Sequence, residues 1–265
     1  MKILITGAHG FVGNRLMQDL DDTVAAPSMR GMSEEQIRNM IEKSRADVII
    51  HTAAISDVGT CEKDPGASYE ANVRLPLFLA KAAKEQKMIC FSSDQVYRGC
   101  AGEGPYKEED ASPCNVYGRH KLEMEQRVLD VKPDAVMLRA EWMYDYPTKR
   151  SNYLRMLLNE KQVLTFGKQY RGITYLREVA ENMPKIFMLP GGVYNFGSET
   201  KQTMYDITCE MLHFLKSDRK PEEVPPAHNL WMDCTKAKER GILFSDAKEG
   251  LKRCLKDYHL AKDRE

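Results

Sequence analysis

The sequence KILITGAHGFVG, residues 2–13, decides the fold of this chain. Its apolar run, residues 3–5, leads into three glycines spaced three apart, Gly7, Gly10 and Gly13, and an amphipathic segment follows. This pattern predicts a strand, a tight turn and a helix. A glycine turn at such a junction lets the backbone approach a pyrophosphate, and the helix N-terminus offers it unpaired N–H groups and a partial positive charge. The stretch therefore predicts a dinucleotide-binding site; glycines that serve only the bend are the alternative.

The composition narrows the class of partner. The 265 residues carry 39 lysines and arginines against 39 aspartates and glutamates, so no overall field favours nucleic acid or an anionic membrane. The seven cysteines form no CxxC pair, which favours reduced thiols, and no metal-ligand cluster is evident. The first residues resemble no signal sequence, and no apolar run reaches bilayer length. These features predict a cytoplasmic protein that binds small molecules, without a metal, nucleic acid or membrane.

Apolar runs and helical periodicities alternate along the chain. The predicted strands are residues 3–5, 23–27, 47–51, 88–92, 135–138, 163–166 and 193–196. The later predicted helices are residues 33–44, 65–84, 152–159, 176–187, 204–216 and 247–258. The alternation predicts an α/β fold, a doubly wound parallel Rossmann sheet with a small C-terminal substrate-binding portion. We expect residues 1–142 to form the dinucleotide-binding domain, residues 174–197 to return to it, and residues 143–265 to be mainly the substrate-binding portion.

The residues after the second predicted strand indicate which cofactor is bound. In dinucleotide folds an acidic residue here binds the ribose 2′-hydroxyl of NAD, whereas a basic residue accommodates the 2′-phosphate of NADP. This chain has Ser28 and Arg30 there, and no carboxylate nearby. The pattern favours NADP(H), with NAD(H) as the alternative because a solvated arginine is common after a strand. Small residues after the next strand, Ala53, Ala54 and Ile55, would let the backbone lie against the same cofactor.

Three side chains follow the fourth predicted strand in an order that suits proton transfer. The strand delivers Ser93 at its carboxyl end, where ligands bind in open parallel sheets. We expect Ser112 to be the N-cap and Pro113 the first residue of the next helix. Tyr117 and Lys121 then lie four apart on one face of that helix.

The chemistry of these side chains is that of a proton donor and two residues that assist it. A tyrosine can serve as general acid or base if its pKa, about 10 when unperturbed, comes nearer to neutral. The ammonium of Lys121 one turn away favours the phenolate of Tyr117, and its other donors can hold the ribose hydroxyls of a nicotinamide cofactor. The Ser93 hydroxyl can hydrogen-bond to a substrate oxygen as charge develops on it. The trio predicts hydride transfer between such a cofactor and a carbinol or carbonyl carbon.

A second tyrosine and lysine share this spacing. With twelve tyrosines in the chain, roughly one such pair is expected by chance. Tyr258 and Lys262 lie in the polar C-terminal tail, with no serine-bearing strand before them. We therefore assign that pair to chance and the function to Tyr117 and Lys121.

Several motifs carry a family resemblance: TGAHGFVG at residues 6–13, HTAA at 51–54, SSDQVY at 92–97 and YGRHK at 117–121. It continues through RGITYLREVA at 171–180, GVYNFGS at 192–198 and DCTKAKERG at 233–241, and so spans almost the whole chain. The sequence resembles the extended short-chain dehydrogenase/reductases that act on nucleotide sugars. The acidic loop before SPCNVYG at 112–118, LRAEWMY at 138–144 and the modest length are similar to the dTDP-4-dehydrorhamnose reductase branch.

This resemblance implies reduction of a 4-keto sugar on a nucleoside diphosphate by a nicotinamide cofactor. It places Ser93, Tyr117 and Lys121 in the catalytic positions, with Tyr117 as proton donor and Lys121 as cofactor anchor. The predicted substrate-binding residues are Asp94, Gln95, Trp142 and Arg171. The predicted cofactor-binding residues are Gly7, His9, Gly10, Phe11, Val12, Gly13, Ser28, Arg30, Ala53, Ala54, Ile55, Tyr117 and Lys121.

The chain departs from that branch at positions expected to face the substrate. Residues 171–174 read RGIT where the branch usually has Gly-Ala-Pro-Thr, and residues 227–228 read AH where it has Arg-Pro. Gln95 replaces an aromatic residue. Arg171 can pair bidentately with a diphosphate, or it is a surface arginine before a helix. The weaker diphosphate candidates are Arg150 and Arg155.

Two other functions are compatible with these residues. A nucleotide-sugar epimerase or dehydratase recycles its cofactor within one turnover and usually retains NAD tightly, and the lack of an acid after the second strand argues against it. A non-catalytic dinucleotide-binding regulatory subunit, such as that of methionine adenosyltransferase, resembles the same branch. The intact serine, tyrosine and lysine argue against this second alternative. Members of the family often pair through helices, which allows a homodimer.

Overall fold

Strands and helices alternate through the first half of the computed structural model, which describes residues 1–148 and 150–260. The elements up to the third strand are β1 (Ile3–Thr6), α1 (Phe11–Asp19), β2 (Thr23–Ala25), α2 (Glu34–Ser44) and β3 (Val48–His51). The next are α3 (Val58–Lys63), α4 (Pro65–Tyr69), a π-helical turn (Glu70–Arg74), α5 (Leu75–Ala82), β4 (Lys87–Ser93), α6 (Val116–Val131) and β5 (Val136–Ala140). Short 3₁₀ helices, Asp94–Tyr97 and Glu108–Asp110, lie between β4 and α6.

The second half contains shorter strands and more irregular chain. Its elements are β6 (Trp142–Tyr144), α7 (Tyr153–Leu158), β7 (Thr165–Phe166), β8 (Ile173–Tyr175), α8 (Leu176–Ile186), β9 (Gly192–Phe196), α9 (Met204–Phe214), β10 (Glu222–Glu223), α10 (Thr235–Lys238) and α11 (Ala247–Asp257). Most predicted elements are confirmed with ends that move by one or two residues, whereas α3, β6, β8, β10 and α10 were not predicted. Lys262, of the second Tyr-xxx-Lys pair, lies outside the described residues. None of the described helices is both long and apolar enough to cross a membrane.

Six parallel strands form the central sheet, in the order β2-β1-β3-β4-β5-β9. The chain runs outward from β1 to β2 and then returns past β1 to β3, so the winding direction reverses between β1 and β3. Ligands of doubly wound sheets bind outside the carboxyl ends of the strands at such a reversal. The predicted doubly wound parallel sheet is confirmed, and its reversal places a cleft beside the glycine turn.

Apolar side chains cover both faces of this sheet. One buried cluster joins the sheet to α1 and α8, and includes Leu16 and Val179. The other joins it to α2, α5 and α6, and includes Ile37 and Leu79. A third cluster packs α7, α9 and α11 together away from the sheet. Parallel strands that are covered on both faces consist of continuous apolar residues. This is why β1, β3 and β4 could be predicted from the sequence.

Helix α6 begins later than predicted. Asn115 is its N-cap, and its side-chain oxygen accepts a hydrogen bond of 2.7 Å from the backbone N–H of Gly118. The predicted cap, Ser112, is wrong because its backbone groups are already paired with the chain after β4: its N–H donates to Val96 O and its carbonyl accepts from Gly99 N. Tyr117 therefore lies in the first turn of α6, close to the carboxyl edge of the sheet.

The helix predicted for residues 65–84 contains a π-helical turn, and Asn72 lies in it. The amide of Asn72 donates to Ile55 O and accepts from Ile55 N, at 2.9 and 3.1 Å. A buried amide that satisfies both backbone groups of one residue holds that residue in place. Asn72 thereby fixes the loop that follows β3.

His51 makes the stability of the fold depend on pH. Its ring is buried at the end of β3, with Nδ1 2.7 Å from the Thr6 hydroxyl, and burial lowers its pKa to about 3. The charge of Lys121 acts in the same direction. The folded state therefore keeps His51 neutral where the unfolded chain takes up a proton.

We expect the free energy of unfolding to fall as the pH drops from 6.5 towards 3, because only the unfolded chain binds a proton at His51 in this range. The loss should reach about 1.4 kcal/mol per pH unit from this residue. Urea unfolding of the wild type and of His51→Asn across this range measures it. Parallel pH dependences in the two proteins would contradict the assignment.

Candidate active site

The glycine turn between β1 and α1 is packed too tightly for side chains. Gly7 has φ +71°, and a Cβ there would lie 2.7 Å from Ala53 N. A Cβ on Gly13 would lie 2.2 Å from Gly7 O. Helix α1 begins after Gly10 without a side-chain cap and without an acidic residue in its first turn. Its first backbone N–H groups are thus presented to the cleft with no carboxylate competing for them.

A cavity of about 650 Å³ opens beside this turn. Its walls come from the glycine turn, the chain after β2, the loop after β3 and the helical segment of residues 67–75. Eight predicted cofactor residues line it: Gly7, His9, Gly10, Ser28, Arg30, Ala53, Ala54 and Ile55. One carboxylate is present in this lining, that of Glu70, and Arg74 neutralises it.

Five other predicted cofactor residues lie outside this lining, namely Phe11, Val12, Gly13, Tyr117 and Lys121. Phe11 faces a smaller cavity on the far side of the turn. Val12 packs against the sheet, and Gly13 is buried under the turn. Their positions support α1 rather than the cavity wall. The size of the main cavity, its backbone-rich walls and the exposed Arg30 fit the adenosine and phosphate end of a dinucleotide.

The predicted catalytic residues converge at the carboxyl end of β4. Ser93 ends the strand and is 7% exposed, while Tyr117 and Lys121 of α6 are 6% and 2% exposed. Lys121 Nζ donates to Phe91 O at 2.8 Å and lies 5.9 Å from the centroid of the Tyr117 ring. The Ser93 hydroxyl donates to Asp94 Oδ1 at 3.1 Å. The structure therefore brings these three residues together; their roles stay a prediction.

Burial sets the protonation of this group. It raises the pKa of Tyr117 above the usual range, and hydrogen bonding to Ser93 opposes the rise. It lowers the pKa of Lys121 to about 8. The expectation that Lys121 brings the Tyr117 pKa towards neutral is wrong for this structure, because loss of solvation outweighs the nearby charges. At pH 7 the tyrosine is a phenol and the lysine is mostly an ammonium.

A buried ion pair supports the catalytic strand from behind. Arg139 Nη2 lies 2.7 Å from Glu125 Oε2, and the two side chains are 3% and 2% exposed. Ser92 donates to the same Glu125, and Arg139 also donates to the Tyr97 hydroxyl. A buried pair with every partner in place holds its elements in one register, whereas removing one partner leaves an uncompensated charge. The pair joins β4, β5 and α6 directly beneath Ser93.

Three of the four predicted substrate residues form one wall. Arg171 Nη2 lies 2.8 Å from Asp94 Oδ2, and the guanidinium carbon lies 5.3 Å from the centroid of the Trp142 ring. Asp94 is 2% exposed and Arg171 is 25% exposed. The fourth, Gln95, accepts a hydrogen bond from Asn115. Because Asp94 already neutralises Arg171, this arginine carries no uncompensated charge.

Glu141 was missed by the sequence reasoning. It follows β5 and is buried, and its Oε2 accepts a hydrogen bond of 2.8 Å from the Thr174 hydroxyl. A Cβ on Gly172 would lie 1.9 Å from Glu141 Oε1, and a Cβ on Gly197 would lie 2.2 Å from Oε2. Burial raises the pKa of this carboxyl well above its usual range, and the hydrogen bond from Thr174 opposes the rise. Two features of the sequence could have identified Glu141: it is an acidic residue directly after a buried strand, and position 172 is a glycine.

The chain is similar to named proteins in both sequence and structure. It is 28% identical over 243 residues to the dTDP-4-dehydrorhamnose reductase of Aggregatibacter actinomycetemcomitans, covering 84% of this chain and 82% of that protein. It is 27% identical to the methionine adenosyltransferase 2 subunit beta of Mus musculus, covering 91% and 83%. The solved structure of dTDP-4-dehydrorhamnose reductase from Bacillus anthracis str. Ames in complex with NADP matches with a TM-score of 0.86, 21% identity, and coverage of 97% and 99%. At that identity the match shows the shared fold.

The wound parallel sheet, the glycine turn and the clustered serine, tyrosine and lysine define the class, an NAD(P)-dependent oxidoreductase of the extended short-chain dehydrogenase/reductase type. Within this class, the chain belongs to the RmlD substrate binding domain family, whose match covers residues 1–260. The family resemblance found in the sequence is confirmed.

We expect Gly172→Ala to destabilise the fold by about 2–3 kcal/mol, because the new methyl group overlaps the Glu141 carboxyl. The double variant Gly172→Ala/Glu141→Ala should lose less free energy of unfolding than the two single variants lose together, by at least about 1 kcal/mol. Urea unfolding of the four proteins in the cycle measures both effects. Additive losses would show that Glu141 does not occupy this space.

Proposed function

We propose that this protein is an NADP(H)-dependent reductase of a 4-keto nucleotide sugar, similar to the dTDP-4-dehydrorhamnose reductases. The observation that carries the proposal is the convergence of Ser93, Tyr117 and Lys121 at the sheet edge that also bears the glycine turn. The family match supports it, as do the names of the relatives.

The cofactor is held in the cleft by backbone and small side chains. The glycine turn and the first N–H groups of α1 receive its diphosphate, while Ser28 and Arg30 receive the 2′-phosphate of its adenosine ribose. Ala53, Ala54 and Ile55 form the opposite wall. When bound, NADPH supplies the hydride that reduces the carbonyl carbon.

Tyr117 donates the proton that the reduced oxygen requires. A phenol whose pKa is raised by burial stays protonated at neutral pH, which suits an acid in the direction of carbonyl reduction. Ser93 donates a hydrogen bond to the same oxygen as negative charge develops on it. The Lys121 ammonium binds the nicotinamide ribose hydroxyls and keeps positive charge beneath the tyrosine.

The substrate lies over the sheet edge on the side of the C-terminal half. Asp94, Gln95, Trp142 and Arg171 border it there, and residues 143–265, apart from those that return to the sheet, supply the rest of its site. The sugar and nucleotide bind against a wall in which Asp94 already neutralises Arg171. Pairing into a homodimer and a cytoplasmic location remain predictions.

A non-catalytic binding role is the second candidate. The likeness to methionine adenosyltransferase 2 subunit beta favours it, because that protein is named as a subunit and the match covers most of both chains. The two candidates share the dinucleotide cleft and differ in whether Ser93, Tyr117 and Lys121 carry out turnover.

The deciding assay is oxidation of NADPH against a panel of 4-keto nucleotide sugars, with dTDP-4-dehydrorhamnose among them. We expect turnover with at least one, and a loss of about 10²- to 10⁴-fold in kcat for Tyr117→Phe, because the variant has no phenolic proton to give. NADPH binding should persist in the variant, since the residues that line the main cavity are unchanged.

Three results would distinguish the reductase from the alternative functions. No turnover with the whole panel, together with tight NADPH binding, would overturn the reductase and favour the binding subunit. Full activity in Tyr117→Phe would overturn the proton-donor role alone. Cofactor that remains bound through purification, with no net oxidation of NADPH, would favour an epimerase or dehydratase.

Arg30 provides a test of cofactor choice. We expect Arg30→Ala to weaken NADPH binding by about 10- to 100-fold and to leave NADH binding unchanged, because only NADPH has the 2′-phosphate that the guanidinium pairs with. Fluorescence titration with both cofactors measures the ratio. Equal effects on NADPH and NADH would place Arg30 outside the cofactor site.

A further inference from the structure

Ser93 has one hydroxyl proton, and in the structure that proton is already engaged. The hydroxyl donates to Asp94 Oδ1 at 3.1 Å and accepts a hydrogen bond of 3.2 Å from the backbone N–H of Gln95. A hydroxyl group has a single proton to donate. The donation to a substrate oxygen that the proposed function requires therefore depends on how firmly Asp94 holds this proton.

Arg171 occupies the other oxygen of the same carboxylate. Its Nε and Nη2 atoms lie 3.0 and 2.8 Å from Asp94 Oδ2. Because Asp94 is 2% exposed, the guanidinium takes the place of the water that would otherwise stabilise the carboxylate. A positive charge this close makes a carboxylate less basic, and a less basic acceptor holds a neighbouring hydroxyl proton less firmly.

Further contacts hold Arg171 in this position. Its guanidinium carbon lies 5.3 Å from the centroid of the Trp142 ring, and its backbone forms a parallel β-bridge with Leu230. At the preceding residue, the Tyr170 carbonyl accepts from Leu230 N at 3.0 Å, and its N–H donates to Asn229 Oδ1 at 2.7 Å. A diphosphate that drew the guanidinium away would leave a buried carboxylate without its counterion, which is costly.

The charge of Asp94 also reaches the predicted proton donor. Burial raises the pKa of Tyr117 most, Asp94 and Cys61 raise it further, and hydrogen bonding to Ser93 and the charge of Arg150 oppose the rise. Hydride transfer places negative charge on the substrate oxygen beside the tyrosine and the serine. An uncompensated carboxylate next to that oxygen would destabilise the transition state, because like charges repel strongly where water is excluded.

We propose that Arg171 and Asp94 act as a positioning pair for Ser93: the guanidinium neutralises the carboxylate, so that the Ser93 hydroxyl can turn its proton from Asp94 to the substrate oxygen during reduction. The inference rests on the proposed function, and it gives Arg171 a role different from that of a diphosphate ligand. In this role neither residue of the pair touches the reacting atoms. The pair acts on the chemical step and not on the affinity for substrate.

The test is a cycle of Arg171→Gln, Asp94→Asn and the double variant, assayed with the 4-keto nucleotide sugar that the wild type reduces fastest. We expect Arg171→Gln to lower kcat by about 10- to 100-fold and to keep KM within about twofold of wild type, because the loss falls on the transition state. The double variant should be at least about fivefold more active than Arg171→Gln, since the amide has no charge to neutralise. Arg171→Lys keeps the charge and should lose less activity than Arg171→Gln.

Two controls accompany this cycle. The matched cycle of Arg38→Gln, Glu34→Gln and their double variant removes an exposed ion pair on α2 and should leave kcat unchanged. NADPH binding, followed by fluorescence, should be unchanged in every variant, because none of the substituted residues lines the cavity beside the glycine turn. If Arg171→Gln does not fold, the double variant decides: kcat within about tenfold of wild type supports the pair, and a larger loss overturns it.

Unchanged kcat in Arg171→Gln overturns the inference, as does a double variant no more active than Arg171→Gln. An increase in KM and in the Kd of thymidine diphosphate, measured by calorimetry, with kcat unchanged overturns it as well and makes Arg171 a ligand of the substrate diphosphate. Wild type that reduces no sugar of the panel overturns the proposed function and the inference with it. Wild-type turnover together with additive losses in the cycle overturns the inference alone.

Discussion

The close approach of the glycine turn to the loop after β3 is the constraint on which the remaining structure depends. Gly7 must take a positive φ and must lack a Cβ, because Ala53 N would otherwise lie 2.7 Å from it. Gly13 must lack one because the first turn of α1 packs onto the carbonyl of Gly7. The two loops therefore meet where the winding of the sheet reverses, and the N-terminus of α1 opens into the cleft between them. Asn72 completes this arrangement by fixing Ile55 from the side of the helices.

Burial shifts the pKa values of Tyr117 and Lys121, two of the proposed catalytic residues, in opposite directions. Loss of solvation disfavours whichever form is charged, so it keeps Tyr117 as a phenol and makes Lys121 easier to deprotonate. A reductase acting on a carbonyl needs an acid at this position, and a buried phenol is one. The rigid support comes from the pair of Arg139 and Glu125, which joins three elements beneath Ser93 and leaves no unpaired charge there.

The wall facing the predicted substrate shows how this chain departs from its branch of the family. The glycine at position 172, where the branch usually has alanine, makes room for the carboxyl of Glu141. That carboxyl lies near Arg171, whose charge is taken by Asp94. Arg171 was the expected diphosphate ligand, and in the structure its guanidinium is already paired with Asp94.

Local patterns in the sequence determined the order of strands and helices, the glycine turn, the capping box of α2 and the grouping of Ser93, Tyr117 and Lys121, because periodicity and turn chemistry depend on residues close together in the chain. They did not determine the start of α6, since Ser112 is occupied by pairing with Val96 and Gly99 through the tertiary path of the loop. The short strands β6 and β8 were missed for a similar reason: three residues carry little periodicity, and their pairing joins distant segments. Only the tertiary structure decided which charges meet, as with Arg171 and Asp94 or Arg139 and Glu125, and how burial shifts the tyrosine and the lysine. Ion pairing and desolvation depend on neighbours brought together from far apart in the chain, and the sequence around each residue does not contain them.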